Sequence, residues 1–156
     1  MSLAKAAASG LIGASTLTLI HESARQFIPN APRMDILGMR AIVKSLRLLD
    51  QEPPPEDRLH DITLAGDIVS NSAFYSLVGV GESDHALLRG TLLGLAAGIG
   101  AVVLPEPLGL GHAPSGRTTE TKVMTIGWYV AGGIAAGLAY RLLSKKPYNS
   151  FNRTRK

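Results

Sequence analysis

Cysteine is absent from the 156 residues, which removes disulfides, thiolate metal sites, iron–sulfur clusters and cysteine nucleophiles together. Aromatic residues are scarce, at 5%, and the basic residues are not interleaved with them, so the formal net charge of +4 lacks the aromatic-rich basic face of a nucleic-acid binder. Lys and Arg gather instead at the ends of apolar blocks, where anionic lipid head groups are the natural counter-charge. Also missing are an HExxH motif and any helical histidine pair at i, i+4: His21-Glu22, His60-Asp61, Asp84-His85 and His112 are scattered between the blocks. The stretch PEPLGLGHAPSG, residues 105–116, has neither a following Lys-Thr nor the full dinucleotide pattern and reads as a flexible Pro/Gly loop. Ser70 and Ser72 lack a nucleophile elbow. Sequence spacing assembles no nucleophile, base and orienting group. The expectation is therefore a protein that is not an enzyme, takes no metal or cofactor and binds no nucleic acid.

What the chain has in quantity is apolar residues, 46% of the total, gathered into four blocks divided by polar, proline-containing stretches. Membrane spans and loops alternate in this way. The first block, Leu3 to Ile20, is long enough to cross a hydrocarbon core at about 1.5 Å per residue, and Lys5 can snorkel from its end. Its outline also fits a signal peptide, but the run ends in His21-Glu22-Ser23-Ala24-Arg25 without a small-x-small cleavage site. The second block, Ile62 to Val80, is interrupted by Asp67 and Asn71. Thr63, Asp67, Ser70, Asn71 and Phe74 share one helical face, so the spacing predicts a span whose polar side turns into a bundle. An interfacial or re-entrant segment is the alternative.

The third block, Ala86 to Leu104, follows after only Gly81-Glu82-Ser83-Asp84-His85. So short a turn predicts antiparallel neighbours, with Ser83 or Asp84 as N-cap and Pro105 ending the helix. Gly90, Gly94 and Gly98 recur every fourth residue and make a smooth strip that another helix backbone can approach. The fourth block, Val123 to Leu143, repeats the spacing at Gly133 and Gly137. Trp128 and Tyr129 near one end and Tyr140 at the other are expected at head-group depth. Arg141, Lys145, Lys146 and the rest of the basic tail, residues 144–156, argue for a cytoplasmic C-terminus, and an even number of spans then puts the N-terminus inside as well.

The connection from the first to the second block is itself organised. Pro29-Asn30-Ala31-Pro32 reads as a turn, and Met34 to Asp50 as an amphipathic helix with a basic stripe, Arg40, Lys44 and Arg47, and a wide apolar face. Such a helix lies in the membrane interface or packs on partner protein. Gln51 to Asp57 follows as a stiff, acidic, proline-rich link. Four spans with the C-terminus inside put this connection outside, although it carries Arg25, Arg33, Arg40, Lys44, Arg47 and Arg58. Three spans, with the second block not crossing, obey the positive-inside bias better. Four are favoured here, because the connection also holds seven acidic residues and the tight turn between blocks two and three needs a hairpin.

The runs PNAPRMDILGMRA, residues 29–41, and AGDIVSNSAFYSLVG, residues 65–79, resemble segments of a family of small bacterial multi-pass membrane proteins to which no activity is assigned. The resemblance extends over most of the chain. It implies a bacterial membrane location, read here as the inner membrane, and transfers no catalytic residue.

The expected architecture is a single all-α domain, an integral membrane bundle of about four spans with one interfacial helix. Its expected role is structural, as an assembly or accessory subunit that docks membrane helices of its own kind or of a larger complex through Gly90, Gly94, Gly98, Gly133 and Gly137. The alternative is a small homo-oligomeric channel or transporter using Asp67 and Asn71. Glu22, Asp67, Asn71 and Arg89 are the candidate intramembrane polar residues, and Arg40, Lys44, Arg47, Lys145 and Lys146 the candidate contacts to lipid head groups.

Overall fold

The computed structural model describes residues 2–145; Lys146 and the rest of the basic tail lie outside the described residues. The helices are α1 (Leu3–Phe27), α2 (Met34–Leu48), α3 (Glu56–Tyr75), α4 (Ala86–Val103), α5 (Ala113–Gly116) and α6 (Thr119–Ser144), with short 3-10 turns at Ser76–Gly79 and Ser83–His85 and no strand among the described residues. Three helical segments are long and apolar enough to cross a membrane: Leu3–Phe27, Ser83–Val103 and Thr119–Ser144. The α3 helix, with Asp57, Arg58 and Asp61 in its first turns, is not among them.

Several boundaries differ from the sequence expectation, for local reasons. The first helix does not stop at Ile20 but runs through His21 and Arg25 to Phe27, where Ile28, before Pro29, turns to extended backbone. The second ends at Leu48 rather than Asp50. Asp50 takes a left-handed φ of 53°, and the Asp50 and Gln51 N–H groups bond back to Arg47 O at 3.2 Å and Leu46 O at 2.9 Å. This is a Schellman closure in which an aspartate occupies the glycine position. The third helix begins at Glu56, six residues before the apolar block, with Glu56 and Asp57 favourably placed at its N-terminus. Neither Ser83 nor Asp84 caps α4, because a 3-10 turn fills that position and His85 precedes the helix. Thr118 instead caps α6, its hydroxyl accepting from the Thr121 N–H at 3.0 Å.

Four long helices pack antiparallel in sequence order. Near one end, Ala6 of α1 meets Gly79 after α3, and the Tyr140 hydroxyl of α6 donates to Gly79 O at 3.3 Å. Midway, a Cβ added to Gly13 would lie 2.7 Å from both Gly132 O and the Ala136 Cβ, and the buried Tyr75 hydroxyl donates to Tyr129 O at 2.7 Å. Toward the other end, the His21 ring stands against Trp128. The N-terminus, the α3–α4 turn and the end of α6 thus share one end, while α2 and residues 104–118 cover the other.

The α3–α4 turn brings the two helices antiparallel but not into close contact. The main partner of α3 is α1, that of α4 is α6, and a cleft opens between α3 and α4. The turn is held by Arg89, whose guanidinium donates to Val78 O at 2.9 Å and Glu82 O at 2.7 Å. Residues 105–116 are also more ordered than a flexible loop. Ser115 is fully buried and donates to Ala101 O at 2.6 Å, and the Thr125 hydroxyl bonds Ser115 O at 2.9 Å.

Candidate functional site

Polar side chains converge where α1, α2, α3 and α6 meet, near the end covered by α2. The approach depends on Gly38, because a Cβ there would collide with the Thr63 methyl and lie 3.9 Å from an Asp67 carboxylate oxygen. Thr63 turns its hydroxyl back to Leu59 O at 2.8 Å, leaving the methyl to face α2. His21 is 9% exposed, and its ring stands edge-on to Trp128 and Tyr129 at 5.2 and 5.9 Å. Its Nε2 has no hydrogen-bond partner among the described residues. Asp67 likewise has no ion-pair or side-chain hydrogen-bond partner among them.

Charge pairing is concentrated beside these two. Arg25 reaches Glu22 at 2.7 Å and Asp35 at 3.4 Å, and Arg33 grips Asp35 through two nitrogens at 2.9 and 2.7 Å. Burial pushes the Asp35 carboxyl up, but the Arg33 hydrogen bond, the Ile36 N–H and the Arg33 and Arg25 charges outweigh it and hold the carboxyl below its ordinary range. The Asp35 hydrogen bond raises the Arg33 guanidinium in return. The space enclosed by His21, Glu22, Arg25, Asp35, Asp67 and Asn71 is about 20 Å³, room for one water-sized guest.

The candidate polar residues are thus divided. Glu22, Asp67 and Asn71 line one cavity, whereas Arg89 is a fastener of the α3–α4 turn at the opposite end of the bundle. Sequence spacing put Thr63 on the polar face it shares with Asp67 and Asn71, but gave no site role to His21, Arg33 or Asp35. A signal for Asp35 was present, since it opens the amphipathic helix two residues after Arg33. None existed for His21, whose aromatic neighbours come from the far end of the chain.

The glycines of α4 and α6 face each other inside the chain. A Cβ on Gly90 would strike Gly133 O, one on Gly94 would lie 2.5 Å from Tyr129 O, one on Gly98 2.7 Å from the Ile126 Cα, and one on Gly137 2.6 Å from Ala86 O. The tyrosines expected at head-group depth are turned into the bundle: Tyr129 and Tyr140 are 8% and 4% exposed. In the basic stripe, Arg40 donates to Leu110 O at 2.8 Å and Lys44 to Leu108 O at 2.6 Å, while Arg47 and Lys145 are exposed.

Among the described residues no group of three or more His, Asp or Glu side chains converges to hold a metal ion. Comparison with protein-family models, characterised proteins and solved structures finds no match to this chain. Fold and surface define it as an all-helical protein with three helices fit to cross a membrane.

Proposed function

We propose that this chain is a four-pass protein of a bacterial inner membrane, with a cytoplasmic C-terminus, acting as a structural or accessory subunit that associates with other membrane helices. One observation carries the reading. The outward face of α4 is an exposed apolar row, Leu88, Leu92, Leu95, Ile99 and Val103, running the length of a helix whose glycine face is already closed on α6. Soluble monomers rarely leave so long a continuous apolar row uncovered. With the glycines engaged internally, docking falls to such outward faces. The α3 helix, inserted antiparallel along α1, supplies the fourth crossing.

The test is the native mass of the particle after gentle detergent extraction, with identification of what travels with it. An accessory subunit gives a particle well above the 16.4 kDa chain that contains unrelated membrane proteins. A lone chain or a pure homo-oligomer overturns the reading.

A second reading, a homo-oligomeric channel or transporter, is favoured by Asp67, a carboxylate without a partner beside the small cavity. On that reading Asp67→Asn alters ion flux, or its pH dependence, in liposomes. Equally tight wild-type and variant liposomes defeat it.

A further inference from the structure

The cleft between α3 and α4 has a volume of about 600 Å³ and is walled almost wholly by carbon, including Leu37, Phe74, Ala97, Ala101, Leu104 and Leu110. Its trough on α4 is formed by the small side chains of Ala97 and Ala101. Its roof comes from α2 and residues 104–110. Across that roof lies a second hollow of about 590 Å³, with Ile36, Met39 and Val43 as its floor and Arg40, Lys44 and Arg47 along its rim.

Arg40 and Lys44 reach between the hollows to the carbonyls of Leu110 and Leu108. Both backbone turns depend on glycine: Gly109 and Gly111 take φ of 66° and 84°, and a Cβ there would lie 2.6 Å from Lys44 Nζ and 2.8 Å from an Arg40 terminal nitrogen. The two cations are thereby held at the roof, each with donors to spare: one of five N–H groups is used by Arg40 and one of three by Lys44. Among the described residues none of the three cations has a carboxylate within ion-pair distance; Glu56 lines the same hollow.

We propose that this is a binding site for one anionic phospholipid, an acyl chain lying in the α3–α4 cleft and the phosphate held by Arg40, Lys44 and Arg47. The proposal rests on the membrane reading above. An apolar slot whose roof carbonyls, Leu110 O and Leu108 O, hold the tips of Arg40 and Lys44 matches an amphiphile with a negative head. A transmembrane helix fits less well: about 30 Å long and about 10 Å across, it fills roughly 2,400 Å³, several times the cleft.

The experiment uses the full chain in mild detergent, titrated with phosphatidylglycerol or phosphatidylcholine and followed by native mass spectrometry and thermal unfolding. One phosphatidylglycerol per chain is expected, bound about tenfold or more tightly than phosphatidylcholine, and raising the unfolding midpoint. Replacing Arg40, Lys44 and Arg47 together by Gln abolishes the preference. Ala97→Phe, which fills the trough, removes binding of both lipids. The Gln variant alters only exposed side chains, so it decides the matter even if Ala97→Phe fails to fold. Equal binding of the two lipids, or a preference that survives the Gln variant, overturns the site. So does a dimer that Ala97→Phe breaks in the absence of lipid, which assigns the cleft to a second copy. In each of these outcomes a chain that still needs detergent for extraction leaves the membrane reading intact, whereas release by alkaline washing alone overturns that reading itself.

Discussion

Asp35 accepts from two arginines while itself nearly buried, its side chain 7% exposed. An ionised carboxylate in that position is stable only because the Arg33 fork and the Arg25 tip neutralise it, so removing its charge leaves Arg33 without its carboxylate and Arg25 with Glu22 alone. Asp35→Asn is expected to lower stability at neutral pH by about 1–2 kcal/mol, at the low end for charged hydrogen bonds because Arg33 remains partly wetted. The pH dependence has a definite sign. The folded carboxyl holds its proton less tightly than the unfolded one, so its contribution is complete above the unfolded value near 3.8 and disappears as pH falls through the lower folded value. Thermal unfolding in detergent should show a wild-type advantage that is constant from about pH 5 to 8 and shrinks below about pH 4. An advantage undiminished at pH 3, or none at pH 7, refutes the role given to this cluster.

At the scale of helices, the bundle is held by close backbone approach rather than by large side chains. Gly94 is the most informative position, since an added Cβ meets Tyr129 O at 2.5 Å and the Val130 Cα at 2.7 Å, both of them backbone that cannot rotate away. Gly94→Ala is expected to destabilise by about 1–3 kcal/mol through overpacking. Gly66→Ala and Gly127→Ala, where a Cβ meets nothing within 4 Å, should be neutral or stabilising. Equal effects at all three positions in thermal unfolding would mean that helix propensity, not the α4–α6 contact, governs these glycines. The glycine spacing was readable because it is a property of one helix. Which helix it faces was not, since nothing in the repeat distinguishes α6 from another chain. The same limit applies to α1, where Gly10 and Gly13 are closed on α3 and α6 but follow no four-residue repeat. The polar junction was legible only in part. Asp67 and Asn71 share a helical face that periodicity displays, but the pocket also needs α2 folded over that face, and only Gly38 hints at so close an approach. The left-handed Asp50 and the Thr118 cap were missed because their residue types are also common where no helix ends.

For the whole molecule, the question is whether α3 crosses the membrane along with the three more apolar helices. Its packing along α1 puts the α3–α4 turn level with the N-terminus and with the end of α6, and α2 level with residues 104–118. Inserted in this arrangement, the chain exposes Ser45 on one side and Asp84 and Lys145 on the other. The basic residues of the α2 side oppose the usual positive-inside bias, but part of that charge is paired locally, Arg25 and Arg33 by Glu22 and Asp35. A cation paired with a carboxylate has less to gain from the cytoplasmic face than a free one. Because no native cysteine competes, single cysteines at Ser45, Asp84 and Lys145 can be labelled one at a time with a membrane-impermeant maleimide in intact cells and in opened membranes. Four crossings predict that Asp84→Cys and Lys145→Cys react from the same side and Ser45→Cys from the opposite one. If all three react from one side, α3 lies in the interface and only three helices cross, and the α3–α4 cleft would then face the membrane surface instead of its acyl core.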